Sequence, residues 1–390
     1  MRENAPTATV REIMTGFATL TGLSPTGKVP PRRYLWTDAF AVCNFLELYR
    51  QTGDEQYTRL ALRLVDQVHN ILGRHREDDP RTGWISGLDD QEGTLHPTKG
   101  GLRIGKETNE RGPADSFDEG LEWDRDGQYY HYLTKWMHAL NRVSRVTGDA
   151  TYNGWAIELA KTAHARFTYV PSSGGPKRMY WKMSIDLSYP LVPSMGHHDP
   201  LDGFITYHQL QATPAKDSET SPWPDLTAEI TDMASICEGK SWATDDPLGI
   251  GGLLSDAFRV GQLIIHGNFE HTDLLEILLD SALQGSGAYA RESPLRLPAD
   301  YRLAFRELGL SLGLRAVEKL KGLIRQNPDL FNKAHPLHSR LERLMQYAPL
   351  REEIEMFWPE HRDANTWTEH RDINMVMLAT SLAPDGYLTL

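Results

Sequence analysis

The side chains best suited to moving protons gather near the middle of the chain, in Gly196-His197-His198-Asp199-Pro200-Leu201-Asp202-Gly203-Phe204-Ile205-Thr206-Tyr207-His208. Histidine exchanges protons near neutral pH, and a carboxylate beside it can orient or charge it. Asp199 followed by Pro200 predicts a helix start, with Asp199 as N-cap and Pro200 at the first helical position. Asp202 then lies at the positive end of the helix dipole. Capping accounts for the aspartates but not for two adjacent histidines. His197, His198 and Asp199 are therefore candidate catalytic residues. His197, His198, Asp199, Asp202 and His208 also carry metal-ligating atoms, but no His-x3-His pair or cysteine cluster accompanies them, so no metal is expected.

Composition narrows the classes. The 390 residues are 40% hydrophobic and 24% charged, ordinary for a globular chain with a sizeable core. A formal net charge of −12 argues against a general nucleic-acid or anionic-membrane binder. The N-terminal residues Met1-Arg2-Glu3-Asn4-Ala5-Pro6 lack an apolar signal core, so a cytoplasmic location is expected. No apolar run approaches the roughly 20 residues of a membrane span. Cys43 and Cys237 each fall in an apolar helical pattern and read as buried thiols. Ten tryptophans and fifteen tyrosines suit a helical core or a pocket that stacks on flat apolar faces such as sugar rings.

The elements that must position these groups read as helices. A helix from Tyr34 to about Arg50 ends at Thr52-Gly53-Asp54, and the next carries Tyr57, Leu60, Ala61, Leu64, Val65, Val68, Ile71 and Leu72 on one face. The unit returns at Thr147-Gly148-Asp149. A constant offset of 95 residues relates Asp54 to Asp149, Tyr57 to Tyr152, Ala61 to Ala156 and His69 to His164. A register held over two helices and their turn is a hairpin repeat. Further hairpins are predicted at Gly252–His266 with Asp273–Gln284, Leu201–Gln211 with Leu226–Cys237, Tyr301–Ile324 with Leu337–Tyr347, and Ile354–Phe357 with Thr368–Leu382. About twelve helices in six hairpins, with little strand alternation, predict an all-α array in one domain over 34–390, preceded by an N-terminal arm over 1–33 that holds a short helix at Val10–Thr19. Loop insertions at 82–123 and 171–193 are long enough to serve a site.

These repeated helix–Thr-Gly-Asp–helix units, each followed by an aromatic (Tyr57, Tyr152), resemble the six-hairpin (α/α)6 toroids of sugar-active enzymes. Members include N-acylglucosamine and cellobiose 2-epimerases, unsaturated glucuronyl hydrolases and several glycoside hydrolases. The resemblance implies inner helices forming a funnel whose loops carry the acid–base residues. It directs attention to Trp36 and Asp38 in Tyr34-Leu35-Trp36-Thr37-Asp38, to Asp90 in Asp89-Asp90-Gln91-Glu92, and to Glu122, Trp123, Tyr129 and His131. It also directs attention to Trp181, Lys182 and Asp186, and to Trp367 and His370 in Trp367-Thr368-Glu369-His370. In the 2-epimerases a histidine near the last inner helix works with another across the barrel. His370 resembles that histidine in position, with His198 as its partner. The basic, glycine-rich stretch Lys99–Lys106 reads as a flexible hairpin or lid, lacking the spacing of a phosphate-binding loop.

The resulting expectation is a carbohydrate-active enzyme using acid–base catalysis without a cofactor, on a sugar or oligosaccharide, with no nucleic-acid or membrane partner. His198 and His370 would exchange protons, Asp38 and Asp199 would orient them, and Trp36, Trp123, Trp181 and Trp367 would form sugar platforms. Hydrolysis would instead call on two facing carboxylates, for which Asp90 and Glu122 are the candidates. The alternatives are a non-catalytic helical scaffold or ligand-binding array, and a toroid enzyme for an isoprenoid-like substrate. Thr244-Asp245-Asp246 falls short of the Asp-x-Asp-Asp signature expected of the latter.

Overall fold

The computed structural model describes residues 5–24, 27–213, 223–267, 269, 272–331 and 335–390. In chain order the elements are α1 (Ala5–Leu20), α2 (Leu35–Thr52), α3 (Glu55–Leu72), α4 (Asp90–Leu95), α5 (Glu119–Asp124), β1 (Gln128–Tyr129), α6 (Tyr130–Thr147) and α7 (Ala150–Phe167). Then follow β2 (Thr168–Tyr169), β3 (Arg178–Met179), β4 (Lys182–Met183), β5 (Pro190–Val192), α8 (Asp199–Gln211), α9 (Thr227–Cys237), α10 (Pro247–Ile265) and α11 (Thr272–Glu292). The chain closes with α12 (Ala304–Gln326), α13 (Pro328–Phe331), α14 (His335–Met345), α15 (Ala348–Glu360), α16 (Asn365–Glu369), α17 (Arg371–Leu382) and α18 (Asp385–Leu388). Two compact units divide it, one over Ala18–Glu238 and one over Met1–Phe17 with Gly239–Leu390.

The repeat seen in the sequence holds at atomic detail in the first unit. Gly53 ends α2 at φ 70° and Gly148 ends α6 at φ 78°, left-handed values that glycine adopts without penalty. Asp54 caps α3 by accepting from the Gln56 amide at 2.9 Å, and Asp149 caps α7 by accepting from the Thr151 amide at the same distance. Thr52 and Thr147 each donate to the carbonyl four residues back, Leu48 at 2.6 Å and Val143 at 2.8 Å. The paired helices pack on one another, and α2 packs on α6, so the two hairpins share a core. Tyr57, Leu64, Val68, Trp136, Leu140, Leu159 and Ala160 are buried there. The hairpin of α8 and α9 adjoins α6.

Short antiparallel strands interrupt this helical unit where the two long loops meet. The order is β1-β4-β5, with Gln128 opposite Met183, Tyr129 opposite Lys182, and Lys182 opposite Val192. The stretch Lys99–Lys106 is no lid. Leu102 and Ile104 are fully buried, Arg103 N–H donates to Leu72 O, and Ile104 O accepts from Leu35 N–H. Its backbone pairs with three neighbouring segments, which removes the freedom that its glycines suggested.

The second unit is built on α12, against which α10, α14, α15 and α17 pack. α10 pairs with α11 as predicted, whereas α15 and α17 lie mainly on α12 rather than forming a close hairpin of their own. The helix expected at Val10–Thr19 is present and longer, Ala5–Leu20, with Val10, Ile13, Met14 and Phe17 buried. α10 is long and apolar enough to cross a membrane by composition. It is 78% buried in the protein, as a core helix is.

Candidate active site

The side chains with chemical potential converge in the first unit at the start of α6 and of α8. α8 begins at Asp199, one residue earlier than capping chemistry predicts, and His198 occupies the cap position without a side-chain hydrogen bond to the helix. Asp199 is thereby freed from capping and buried, 4% exposed. A β-carbon on Gly196 would lie 2.3 Å from Asp199 Oδ2, so only glycine leaves room for the carboxyl there. From α6, His131 brings Nδ1 to 3.6 Å from Asp199 Oδ1. That separation is too long for a hydrogen bond, and neither His131 Nδ1 nor Asp199 Oδ2 has a hydrogen-bond partner among the described residues.

Burial pushes the His131 imidazole down to about 4, and it pushes the Asp199 carboxyl well above the usual carboxylate range, with the charge of Asp202 adding to the effect. Burial thus favours the uncharged form of each member, the protonated carboxyl and the unprotonated imidazole. One turn further along each helix, Lys135 Nζ donates to both oxygens of Asp202 at 2.8 and 2.9 Å. This ion pair fixes the relation of α6 to α8 and so the approach of His131 to Asp199.

An aromatic wall adjoins the pair. The Trp181 ring lies parallel to His131 within 13° at 6.4 Å, Tyr129 lies 5.2 Å from Trp181, and Trp123 meets Trp181 edge-on at 5.1 Å. Tyr132 packs against both Tyr129 and His131, and its hydroxyl is 2.8 Å from that of Tyr34. Glu122, Trp123, Tyr129 and Trp181 border a cavity of about 250 Å³, with Phe117 and Glu119 at its rim. Trp123 and Phe117 are about half exposed, at 49% and 54%. Faces of this kind stack on the C–H faces of a sugar ring.

Lys182 holds the wall. Its ammonium is fully buried and donates to the carbonyls of Glu122 at 2.6 Å and Arg125 at 2.9 Å, with Glu122 Oε2 at 3.4 Å. Burial lowers its pKa and the Glu122 charge opposes that shift. Glu122 is itself held by Arg111 Nε at 2.8 Å. Thus Lys182, expected to touch a ligand, instead ties α5 to β4. Nothing in the sequence marked Arg111, whose carboxylate partner Glu122 lies 11 residues away, or the Tyr34–Tyr132 hydroxyl contact, which joins residues 98 apart.

The remaining candidates have other surroundings. Asp38 is buried, ion-paired with Arg33 at 3.4 Å, and accepts from the Tyr34 amide at 2.9 Å, closing the start of α2. Trp36 is 5% exposed and packs on Phe40. Asp90 is exposed at the first turn of α4 and pairs with Arg74 at 2.9 Å. Asp186 accepts from Ser184 at 2.8 Å, Ser188 at 2.6 Å and Arg81 at 3.0 Å. His197 is exposed and its ring tilts over that of His198 at 4.6 Å. In the second unit, His370 joins α16 to α17 with its ring edge-on to Phe305, and Trp367 is buried against Trp358. Among the described residues no three His, Cys, Asp or Glu side chains gather as a metal site.

No known family profile matches the sequence, and no curated protein matches it. Solved structures do. A sugar epimerase from a ruminal bacterium is 10% identical with a TM-score of 0.50, over 96% of this chain and 98% of that one. The GH76A α-1,6-mannanase from Salegentibacter sp. HEL1_6 is 12% identical with a TM-score of 0.52, over 97% and 99%. An inactive variant of that mannanase, with two consecutive aspartates replaced and α-1,6-mannotriose bound, has a TM-score of 0.51 at 12% identity, also over 97% and 99%. These likenesses run the whole length of both chains at identities where only the backbone course is shared. The chain accordingly has the fold of these solved structures, an all-α (α/α)6 toroid.

Proposed function

We propose that this protein is a carbohydrate-active enzyme that moves a proton on a free sugar, as an isomerase or epimerase. The observation that carries the reading is the pairing of half-buried His131 with buried Asp199, 3.6 Å apart with unsatisfied atoms on both members, beside the Trp181–Tyr129–Trp123 wall. Asp199, whose protonated form burial favours, donates to a carbonyl oxygen of the substrate. The neutral imidazole of His131 removes the proton from the adjacent carbon, giving an enediol. His131 then returns that proton to the neighbouring carbon while the other enediol hydroxyl gives its proton back to Asp199, completing an isomerisation; for an epimerisation the enediol turns over in the site before the proton returns to the same carbon. Burial favours the working form of both the acid and the base.

This reading moves the proton chemistry from His198 and His370 to His131 and Asp199. Glycoside hydrolysis is less well supported, because Glu122 is tied by Arg111 and Lys182 and Asp90 is an exposed partner of Arg74. The fold shared with a sugar epimerase and a mannanase agrees with a sugar substrate. The test is an NMR time course in heavy water with free aldoses, ketoses and short oligosaccharides. Deuterium at the carbon beside the carbonyl, lost in Asp199→Asn and His131→Gln, is the expected result. New reducing ends without exchange would replace isomerisation by hydrolysis, and neither signal would remove the carbohydrate reading.

A further inference from the structure

The second unit carries a separate depression of about 370 Å³ bordered by Asp280, Gln284, Gly287 and Arg291 of α11, and by Arg343 and Tyr347 at the end of α14 and just beyond it. Asp280, the carboxylate there, is already bound by Arg340 through two contacts of 2.8 and 2.7 Å. Arg291 and Arg343 have no carboxylate partner among the described residues. Beside Leu283 and Asp280, whose partner Arg340 also pairs with Glu276 at 3.2 Å, the depression is thus lined by two guanidinium groups without a carboxylate partner among the described residues, a phenol and an amide.

Gly287 shows where they converge. A β-carbon there would have two near neighbours, Arg291 Nη1 and Tyr347 Oη, each at 3.5 Å. Both donors thus face one point just above the bare backbone of α11. No packing contact forbids a methyl group at that point, unlike Gly285, where a β-carbon would lie 2.1 Å from Thr244 O. Glycine inside a helix is destabilising relative to alanine, so Gly287 weakens α11 without serving its packing. Its effect is to leave without a methyl group the point that lies 3.5 Å from both the guanidinium and the hydroxyl.

We propose that this depression binds a phosphate-type oxyanion, the anionic end of a phosphomonoester. Arg291 and Tyr347 would hold one oxygen above Gly287, and Arg343 would take a second with its planar fork. The site is independent of the His131–Asp199 pair and of the reaction proposed for it.

The test is calorimetric titration of the full-length protein with inorganic phosphate at low ionic strength, with acetate as the comparison anion. Saturable phosphate binding is expected, weakened about tenfold or more by Arg291→Ala or Arg343→Ala. Gly287→Ala is the sharper variant, because alanine fits without a clash and favours the helix. It should keep or raise Tm while weakening phosphate binding about tenfold. Absence of saturable binding, equal affinity in the variants, or acetate binding as tightly as phosphate would each overturn the proposal.

Discussion

The Nδ1 of His131 stands 3.6 Å from Oδ1 of Asp199, while the Oδ2 of the same carboxyl faces the bare backbone of Gly196. The arrangement keeps a carboxylic acid and an imidazole side by side without letting either satisfy the other. Burial disfavours the charge on each, raising the carboxyl pKa and lowering that of the imidazole.

Removing either member should remove turnover rather than the fold. Asp199→Asn and His131→Gln are each expected to lower kcat by about 10²- to 10⁴-fold, the usual contribution of a positioned acid or base. Gly196→Ala should do nearly the same by displacing the carboxyl. Circular dichroism and Tm would separate lost chemistry from lost structure, and a variant retaining full kcat would take its residue out of the mechanism.

The pair also predicts how stability changes with pH. His131 titrates at about 4 in the folded protein against 6.5 when unperturbed, and buried His69, which accepts from Trp136 Nε1 at 3.1 Å, at about 3. Between those values and about 6.5 the unfolded chain binds more protons, so stability falls as pH drops through that window. Asp199 is raised, so its contribution has the opposite sense. It is fully present below the ordinary carboxylate value and is lost as pH rises through the folded value. Urea unfolding from pH 7.5 to 4.5 should show a shallower acid-side loss in His131→Gln than in the parent protein. Identical curves would mean that His131 titrates normally.

Lys182 is a structural cation. Replacing it with methionine leaves two carbonyls without their donor and Glu122 with one cation fewer, which is expected to destabilise the first unit by about 3–5 kcal/mol. Denaturant titration would measure this, and a loss below about 1 kcal/mol would show that α5 and β4 hold together without it.

The aromatic wall should divide into a binding residue and a supporting one. Trp123 is half exposed, so Trp123→Ala should leave Tm nearly unchanged while raising the KM for the sugar by about tenfold. Trp181 touches Trp123, Tyr129 and His131, and Trp181→Ala should lower both Tm and kcat. Equal effects of the two substitutions on Tm would contradict this division.

Within the second unit, α10 and α12 approach backbone to backbone. A β-carbon on Gly251 would lie 2.0 Å from Gly309 O, a contact that no rotamer relieves. Gly251→Ala should therefore cost several kcal/mol, on the order of an overpacked core site. A fall in Tm of less than a few degrees would show that the helices can separate.

What the sequence determined by itself is local and periodic. The Thr-Gly-Asp turns, their 95-residue offset and the apolar spacing of α2, α3, α6 and α7 specify caps, helices and hairpins, because each depends on residues within a few positions of one another. The tertiary structure alone decided which polar groups meet. Asp199 and Asp202 carry the same local signal, yet one is ion-paired to Lys135 and the other left beside His131. Lys182 and Glu122 looked like ligand-facing groups and became a buried tie, since their partners lie 57 to 60 residues apart in the chain. A pKa depends on desolvation and on charges brought from other elements, and neither exists until the helices have packed.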